Sequence, residues 1–484
     1  MTDADTVTLS LISHTNVGKT TLARTLLRRD IGEVRDEPHV TDIAESHEMI
    51  AADGARLLLW DTPGFGDTAR LAKRLHGSRN PVGWLLSQVW DRFTNRALWC
   101  SQQAVRNVRD DADVVLYLVN AAESPAEAGY VALEMEILAW MGKPTLVLLN
   151  QLGRPREAAA EAAEEAAWER HLRRFGHVRG VLGLDAFARC WVQEEELLAH
   201  IRPLLAESKL PAYDRLRAAW RARSLGAFQD SMRALSRQLA ETARDEESLA
   251  NPTWKEGLRQ VLKLLGLASK GEPTDQERAM AALAERLGTR VRAATDTLIG
   301  LHDLEGSAAS AILERLRTHY RHEAPMHAGA AGVVSGAITG ALSGLAAEVA
   351  AGGLAAGGAT IGGGLLGALA GSGLAKGYNL ARGVKQPVVR WSDEFLEILA
   401  RSALLRYLAV AHFGRGRGGW SEGEAPPFWQ REIAEVVAAR RDGLAAGIAG
   451  ARAGDEDAFT AWLEGCAGAV LGRLYPRTAA GVPA

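Results

Sequence analysis

The stretch Ser13-His14-Thr15-Asn16-Val17-Gly18-Lys19-Thr20-Thr21 constrains this chain more than any other. It follows an apolar run, Val7-Thr8-Leu9-Ser10-Leu11-Ile12, and precedes Leu22-Ala23-Arg24-Thr25-Leu26-Leu27, which has helical spacing. A strand, a tight loop, then Gly-Lys-Thr opening a helix is the context of a phosphate-binding loop. The backbone from Asn16 and Val17 through Gly18 to Thr21 would turn its N–H groups and the helix N-terminus toward phosphate. Lys19 would reach the β and γ phosphates, and the Thr20 hydroxyl would bind Mg²⁺. Ser13 stands where such loops usually carry their first glycine. Serine tolerates a tight turn less well, so an altered start to the loop is expected. The competing reading is a chance Gly-Lys-Thr before an ordinary helix, and the elements that follow in order argue against it.

His47-Glu48-Met49-Ile50 leads to Asp53-Gly54, a favoured two-residue turn, and Arg56-Leu57-Leu58-Leu59-Trp60 runs back into Asp61. This hairpin delivers Asp61-Thr62-Pro63-Gly64, which resembles the Asp-x-x-Gly motif of GTPases. The resemblance implies that Asp61 holds Mg²⁺ through water and that the Gly64 amide senses the γ-phosphate, ordering the flanking loops. Thr41, in Arg35-Asp36-Glu37-Pro38-His39-Val40-Thr41, is the candidate for the threonine that completes the Mg²⁺ shell. Asn16-Val17-Gly18-Lys19-Thr20 and Asp61-Thr62-Pro63-Gly64 together resemble the Era/TrmE branch of translation-factor-related P-loop GTPases, over the first domain of the chain. That resemblance implies GTP and GDP as ligands, Lys19, Thr41 and Gly64 as catalytic groups, and K⁺ held beside the phosphates by Asn16. Phe65 occupies the place of the water-orienting glutamine of Ras-like enzymes. Hydrolysis would then draw on another group, a monovalent cation or a partner. The alternative is a nucleotide-binding protein with little or no hydrolysis.

Asp113–Asn120 and Pro144–Asn150 are continuous apolar runs of the buried parallel-strand kind, separated by a helix over Glu127–Met141. The second run ends in Asn150-Gln151-Leu152-Gly153, where GTPases read guanine with Asn-Lys-x-Asp. Asn150 matches, but Gly153 supplies no carboxylate for the base, which puts guanine specificity in question. Asp185, in Gly183-Leu184-Asp185-Ala186-Phe187, is either a substitute base contact or a helix N-cap. Asn150-Gln151-Leu152-Gly153 and the following Leu-Asp-Ala-Phe-Ala-Arg-Cys-Trp resemble a bacterial family that pairs a GTPase-like head with a C-terminal domain of unknown function.

These elements predict an α/β P-loop domain with a mixed, mostly parallel sheet over 1–207. Within it, 66–110 is an insertion carrying Trp84, Trp90 and Trp99, either a nucleotide-sensitive extension or packed helices. Residues 155–173 read as an exposed helix. From Gln193 onward no strand pattern is seen, and an all-α part follows as helical domains over 208–325 and 386–484. Its helices are expected at Pro211–Arg244, from Thr253 to about Leu267, from Thr274 to Leu301, and at Ala308–His322, Trp391–His412, Trp429–Ala451 and Glu456–Leu474. Mixed charges on these helices suit solvated faces of a bundle; a partner-binding stalk is the other reading. The loop at 414–419 is either an ordinary connection or a basic contact for lipid headgroups.

Between those domains, 326–385 changes character. Ala328–Ala347 carries no charge, nor does Val349–Ala375. Gly332, Gly336, Gly340 and Gly344 share one helix face, and Gly363, Gly367 and Gly371 repeat the spacing. Small residues at this interval let helices approach closely, and each segment has the length of a span, about 20 residues. Basic residues Lys376, Arg382 and Lys385 follow on one side. The expectation is a glycine-zipper hairpin that engages membrane lipid and favours homo-oligomers. A tightly packed Ala/Gly hairpin and a flexible linker are the alternatives, since glycine costs helix stability and alanine buries little area. A net charge of −3 gives no strong nucleic-acid signal. Cys100, Cys190 and Cys466 are far apart and form no metal-type pair. With no signal-peptide pattern at the N-terminus, the expected location is cytoplasmic, reaching the inner membrane from its cytoplasmic side.

Overall fold

The computed structural model describes residues 3–29, 31, 44–65, 68, 96–150, 158–186, 190–248, 275–304, 388–413 and 428–477. Thr41, Gln151–Gly153, most of the 66–110 insertion, the expected helices at 253–267 and 308–322, the Gly/Ala hairpin and the loop at 414–419 lie outside them. The chain divides into two compact units. One draws on Met1–Leu225, His412–Gly419 and Leu474–Gly481, the other on Gly226–Ala411, Trp420–Arg473 and Val482–Ala484, each through its described residues.

The first unit is built on a six-stranded sheet. Its strands are β1 (Thr6–Ser13), β2 (Glu45–Ala52), β3 (Ala55–Asp61), β4 (Val114–Asn120), β5 (Thr145–Asn150) and β6 (Val178–Gly183), in the order β2-β3-β1-β4-β5-β6. All neighbours are parallel except β2 and β3, the expected hairpin. Asp53 and Gly54 both have positive φ, at 45° and 78°, as a two-residue turn of this kind requires.

Successive residues of the central strands enter opposite layers. Val7, Leu9 and Leu11 of β1, with Leu116 and Leu118 of β4 and Leu146 and Leu148 of β5, pack beneath α1 (Lys19–Leu27), α5 (Trp191–Ile201) and the start of α6 (Leu210–Arg244). Ile12, Val115, Tyr117, Val119, Val147 and Leu149 face α2 (Arg96–Asp110), α3 (Gly129–Ala139) and α4 (Ala158–Leu172). Burial on both faces explains why β4 and β5 read as continuous apolar runs rather than alternating ones. The helix expected at 155–173 is α4, half-buried along most of its length and anchored by buried Trp168 and Leu172.

The second unit contains the later part of α6, α7 (Asp275–Leu301), α8 (Asp393–Ala411), α9 (Phe428–Ala439), α10 (Arg441–Ala453) and most of α11 (Asp457–Leu474). Within it Arg406 is buried, donating to the Val291 carbonyl and the Thr295 hydroxyl, both at 3.1 Å, and to Gln238 Oε1. Two expectations are corrected here. Strands do return after Gln193: β7 (Glu246–Ser248) pairs antiparallel with β8 (Val388–Arg390). Arg286 holds this ribbon by donating to Asp245 and Glu247 on either side of the start of β7. The helix expected over Trp429–Ala451 is interrupted at Arg440, whose φ and ψ are −117° and 26°. The Arg440 carbonyl accepts the indole N–H of Trp462 at 2.9 Å as well as the amide of Leu444. A side chain from α11 therefore fixes the break.

Among the described residues no helix is long and apolar enough to cross a membrane. All three cysteines are buried and none forms a disulfide.

Candidate functional site

The end of β1, the loop to α1 and the end of β3 meet at one edge of the sheet. β1 and β3 run parallel with Leu11 opposite Asp61. The ladder is prolonged by a bridge between His14 and Phe65, where the Phe65 amide donates to the Ser13 carbonyl at 2.9 Å. The Thr62 hydroxyl donates to the Leu11 carbonyl at 2.5 Å. These bonds seat Asp61-Thr62-Pro63-Gly64 against the phosphate loop.

Within the loop, Asn16 and Gly18 have φ of 63° and 92°, and Gly18 caps α1. Left-handed residues spaced in this way belong to the concave backbone forms that bind anions. Ser13 needs no positive φ. It ends β1, and its buried hydroxyl accepts the Lys19 ammonium at 2.9 Å and donates to the His14 carbonyl. Lys19 Nζ also approaches the His14 carbonyl at 3.5 Å. Burial holds the Lys19 ammonium below the usual lysine range, against the charges of Asp61 and Glu134.

The Thr20 hydroxyl donates to Asp61 Oδ2 at 2.6 Å, while Asp61 Oδ1 is buried with no hydrogen-bond partner. Asp61 is 3% exposed, and burial pushes its carboxyl up to about 6, opposed by the Thr20 hydrogen bond and the Lys19 charge. A hydroxyl and a carboxylate with an unfilled oxygen suit a hard divalent cation that keeps most of its ligands as water or phosphate. No cluster of three or more His, Cys, Asp or Glu side chains that could hold a metal occurs among the described residues. Gly64 lies against this group. A Cβ there would stand 3.0 Å from both Lys19 Nζ and the Thr15 Cα. Phe65 is fully buried in the α2–α3 layer, so its side chain is part of the core.

Asn150 is also fully buried. Its Nδ2 donates to the Val17 carbonyl at 2.7 Å, and its Oδ1 accepts the Ala186 amide at 2.8 Å. It thus braces the phosphate loop from the end of β5 and links it to the loop after β6. Asp185 is buried in that loop. It is not the cap of α5, whose N-cap is Cys190, with the Gln193 side chain accepting the Cys190 amide at 2.9 Å. Thr21 is buried within α1.

One cluster was not anticipated. Glu134 of α3 accepts His14 Nδ1 and the Thr68 hydroxyl, both at 2.8 Å, and the Tyr117 hydroxyl at 2.7 Å. The signal was present in α3: Glu134 falls among Val131, Met135 and Leu138, a charged residue on an apolar helical face.

Residues 8–151 match the family described as 50S ribosome-binding GTPase. Several solved structures are similar at low identity. Era from Aquifex aeolicus bound to GDP and aluminium fluoride is 14% identical, with a TM-score of 0.32, over 60% of this chain and 89% of that one. Era bound to MgGDPNP and a segment of 16S ribosomal RNA is 14% identical, with a TM-score of 0.32, over 61% and 90%. NFeoB from S. thermophilus bound to mGMPPNP is 14% identical, with a TM-score of 0.24, over 61% and 86%. These likenesses are too slight to carry the assignment, which rests on the family match and the site geometry. No curated protein matches the sequence. Residues 171–457, more than half of the chain, match a further family. With a P-loop GTPase domain at its head, the protein belongs to the family described as domain of unknown function (DUF3482).

Proposed function

We propose that this protein is a GTP-hydrolysing switch whose helical half engages membrane lipid through a glycine-zipper hairpin at 326–385. The observation that carries the hydrolytic reading is the unpartnered Oδ1 of Asp61 beside the Thr20 hydroxyl, under Lys19 and Gly64. Thr20, Asp61 and Thr41 are the residues that would hold Mg²⁺, which neutralises charge on the β and γ phosphates. Lys19 binds the same phosphates. The Gly64 amide meets the γ-phosphate, and the absence of a Cβ there leaves room for it beside Lys19. Asn16 recruits K⁺. Asn150 and Asp185 are the residues assigned to the base, with guanine favoured. The division into 1–207, 208–325, 326–385 and 386–484 belongs to the same reading, as do a cytoplasmic location, inner-membrane attachment and self-association through the hairpin.

Phosphate release with GTP and ATP, in K⁺ and in Na⁺, beside Lys19→Ala, tests the first part. Turnover that requires Lys19 and prefers GTP is expected. Equal use of ATP removes the guanine claim. A specific observation favours a second reading, nucleotide binding without useful hydrolysis: Phe65 is buried where a water-orienting side chain would project. No Lys19-dependent turnover under any condition selects that reading. Flotation with liposomes tests the hairpin. Wild type should float, and Gly336→Leu with Gly340→Leu should float less, because packing rather than bulk hydrophobicity drives the association. Wild type that never floats refutes it.

A further inference from the structure

We propose that Glu134 is a positioning residue that couples the phosphate loop to the segment following Asp61-Thr62-Pro63-Gly64, and so sets how the site distinguishes GTP from GDP. The inference rests on the GTPase reading above and deepens it.

Glu134 has no exposed surface. A carboxylate in that position is costly unless its oxygens are satisfied, and here three donors satisfy them. The donors belong to three separate stretches of chain. Tyr117 is fully buried in β4, and α3 is fixed by Val131, Met135 and Leu138, so Tyr117 and Glu134 form a rigid seat. The other two donors flank the nucleotide site. His14 is the second residue of the phosphate loop, and its ring stacks on Tyr130 at 4.5 Å between centroids. It neighbours Ser13, which holds Lys19, and Thr15, which Gly64 approaches. Thr68 lies just beyond Gly64. Both donate to one oxygen, Oε1.

That shared acceptor is what makes the arrangement a coupling device rather than two independent ties. The imidazole must donate from Nδ1, and the hydroxyl must donate to the same atom, so displacement of either changes the bond available to the other. If Gly64 moves to meet a γ-phosphate, Thr68 lies four residues beyond it and Glu134 Oε1 is its seat. The change reaches the phosphate loop through His14. Glu134 also adds negative potential at Lys19, which places it electrostatically as well as mechanically behind the phosphate-binding lysine. A role in packing alone would be met by leucine or methionine at this apolar face.

The test is the ratio of GTP-analogue to GDP affinity in the full chain, by calorimetry with GMPPNP and GDP. Thr68→Val keeps the shape and removes the donor. Glu134→Gln keeps the size and removes the charge. Each should change the ratio by about tenfold, as expected for losing a hydrogen bond to a charged group, and in the same direction. The double variant should change it no further than the larger single change. Thr68→Ser should restore the wild-type ratio. Because Glu134→Gln can fail to fold, Thr68→Val carries the decision. Hydrogen exchange of that variant should also change at residues 13–22, away from the substitution. A Thr68→Val protein with a ratio within twofold of wild type overturns the coupling alone. Wild type that binds neither nucleotide overturns the GTPase reading beneath it. A purely structural role would lower thermal stability in all variants and leave the ratio unmoved.

Discussion

Replacing Asp61 with asparagine should stabilise the head of this protein while abolishing its use of Mg²⁺-nucleotide. The carboxyl is buried, with one oxygen on Thr20 and the other on nothing, and it titrates at about 6 rather than at its ordinary 3.8. Below pH 4 the group is protonated in both folded and unfolded chains and costs nothing. As pH rises toward 6 the unfolded chain gives up its proton first, and stability falls; above that the full penalty is present. At about 1.4 kcal/mol per pH unit, the interval is worth about 3 kcal/mol at neutral pH. Asparagine keeps an acceptor for Thr20 and carries no charge. In the absence of nucleotide and Mg²⁺, Asp61→Asn should therefore exceed wild type by about 1–3 kcal/mol at pH 7.5, the difference closing toward pH 4. Because the chain has two units, global unfolding need not be two-state. Hydrogen exchange at β1 and β3 reports opening of the head by itself. A difference that does not vary with pH, or a wild type more stable than the variant at pH 7.5, would refute the argument.

Three other outcomes follow from contacts already described. Gly64→Ala should fold but lose at least tenfold in GTP turnover, measured by phosphate release, because its Cβ meets Lys19 Nζ and the Thr15 backbone at 3.0 Å. Asn150→Ala should cost about 2–4 kcal/mol in the same exchange measurement, since it leaves the Val17 carbonyl and the Ala186 amide unpaired in the interior. In the second unit, Gly447→Ala would put a Cβ 2.2 Å from Cδ2 of buried Phe459. It should lower the thermal midpoint by an amount equivalent to about 1–3 kcal/mol, and Phe459→Leu in the same chain should recover part of it.

The elements legible in the sequence were those with a long or chemically specific signal. β4 and β5 are buried on both faces and therefore appear as unbroken apolar runs. The β2–β3 turn needs two residues of positive φ, and Asp53-Gly54 supplies them. The phosphate loop is legible because phosphate chemistry restricts both residue type and spacing. β7 and β8 were missed because three residues are too few to show alternation, and their partner strands are remote in sequence. The break at Arg440 was missed because its cause, the Trp462 indole, comes from another helix. Ser13 looked like a weakened glycine position, whereas its hydroxyl seats Lys19. The Glu134 cluster was hidden for a related reason. A single acid in an apolar pattern reads as noise until three separate stretches are seen to converge on it.

The two bonds of Asn150 bear on what the end of β5 does for the loop that precedes α1. Its side chain spends both polar groups on the protein itself, holding the Val17 carbonyl and the Ala186 amide. The first position of Asn150-Gln151-Leu152-Gly153 thus answers to loop architecture. Any change at Asn150 would be felt first in the backbone at Val17 and Ala186, and so with every nucleotide alike, whichever base it carries.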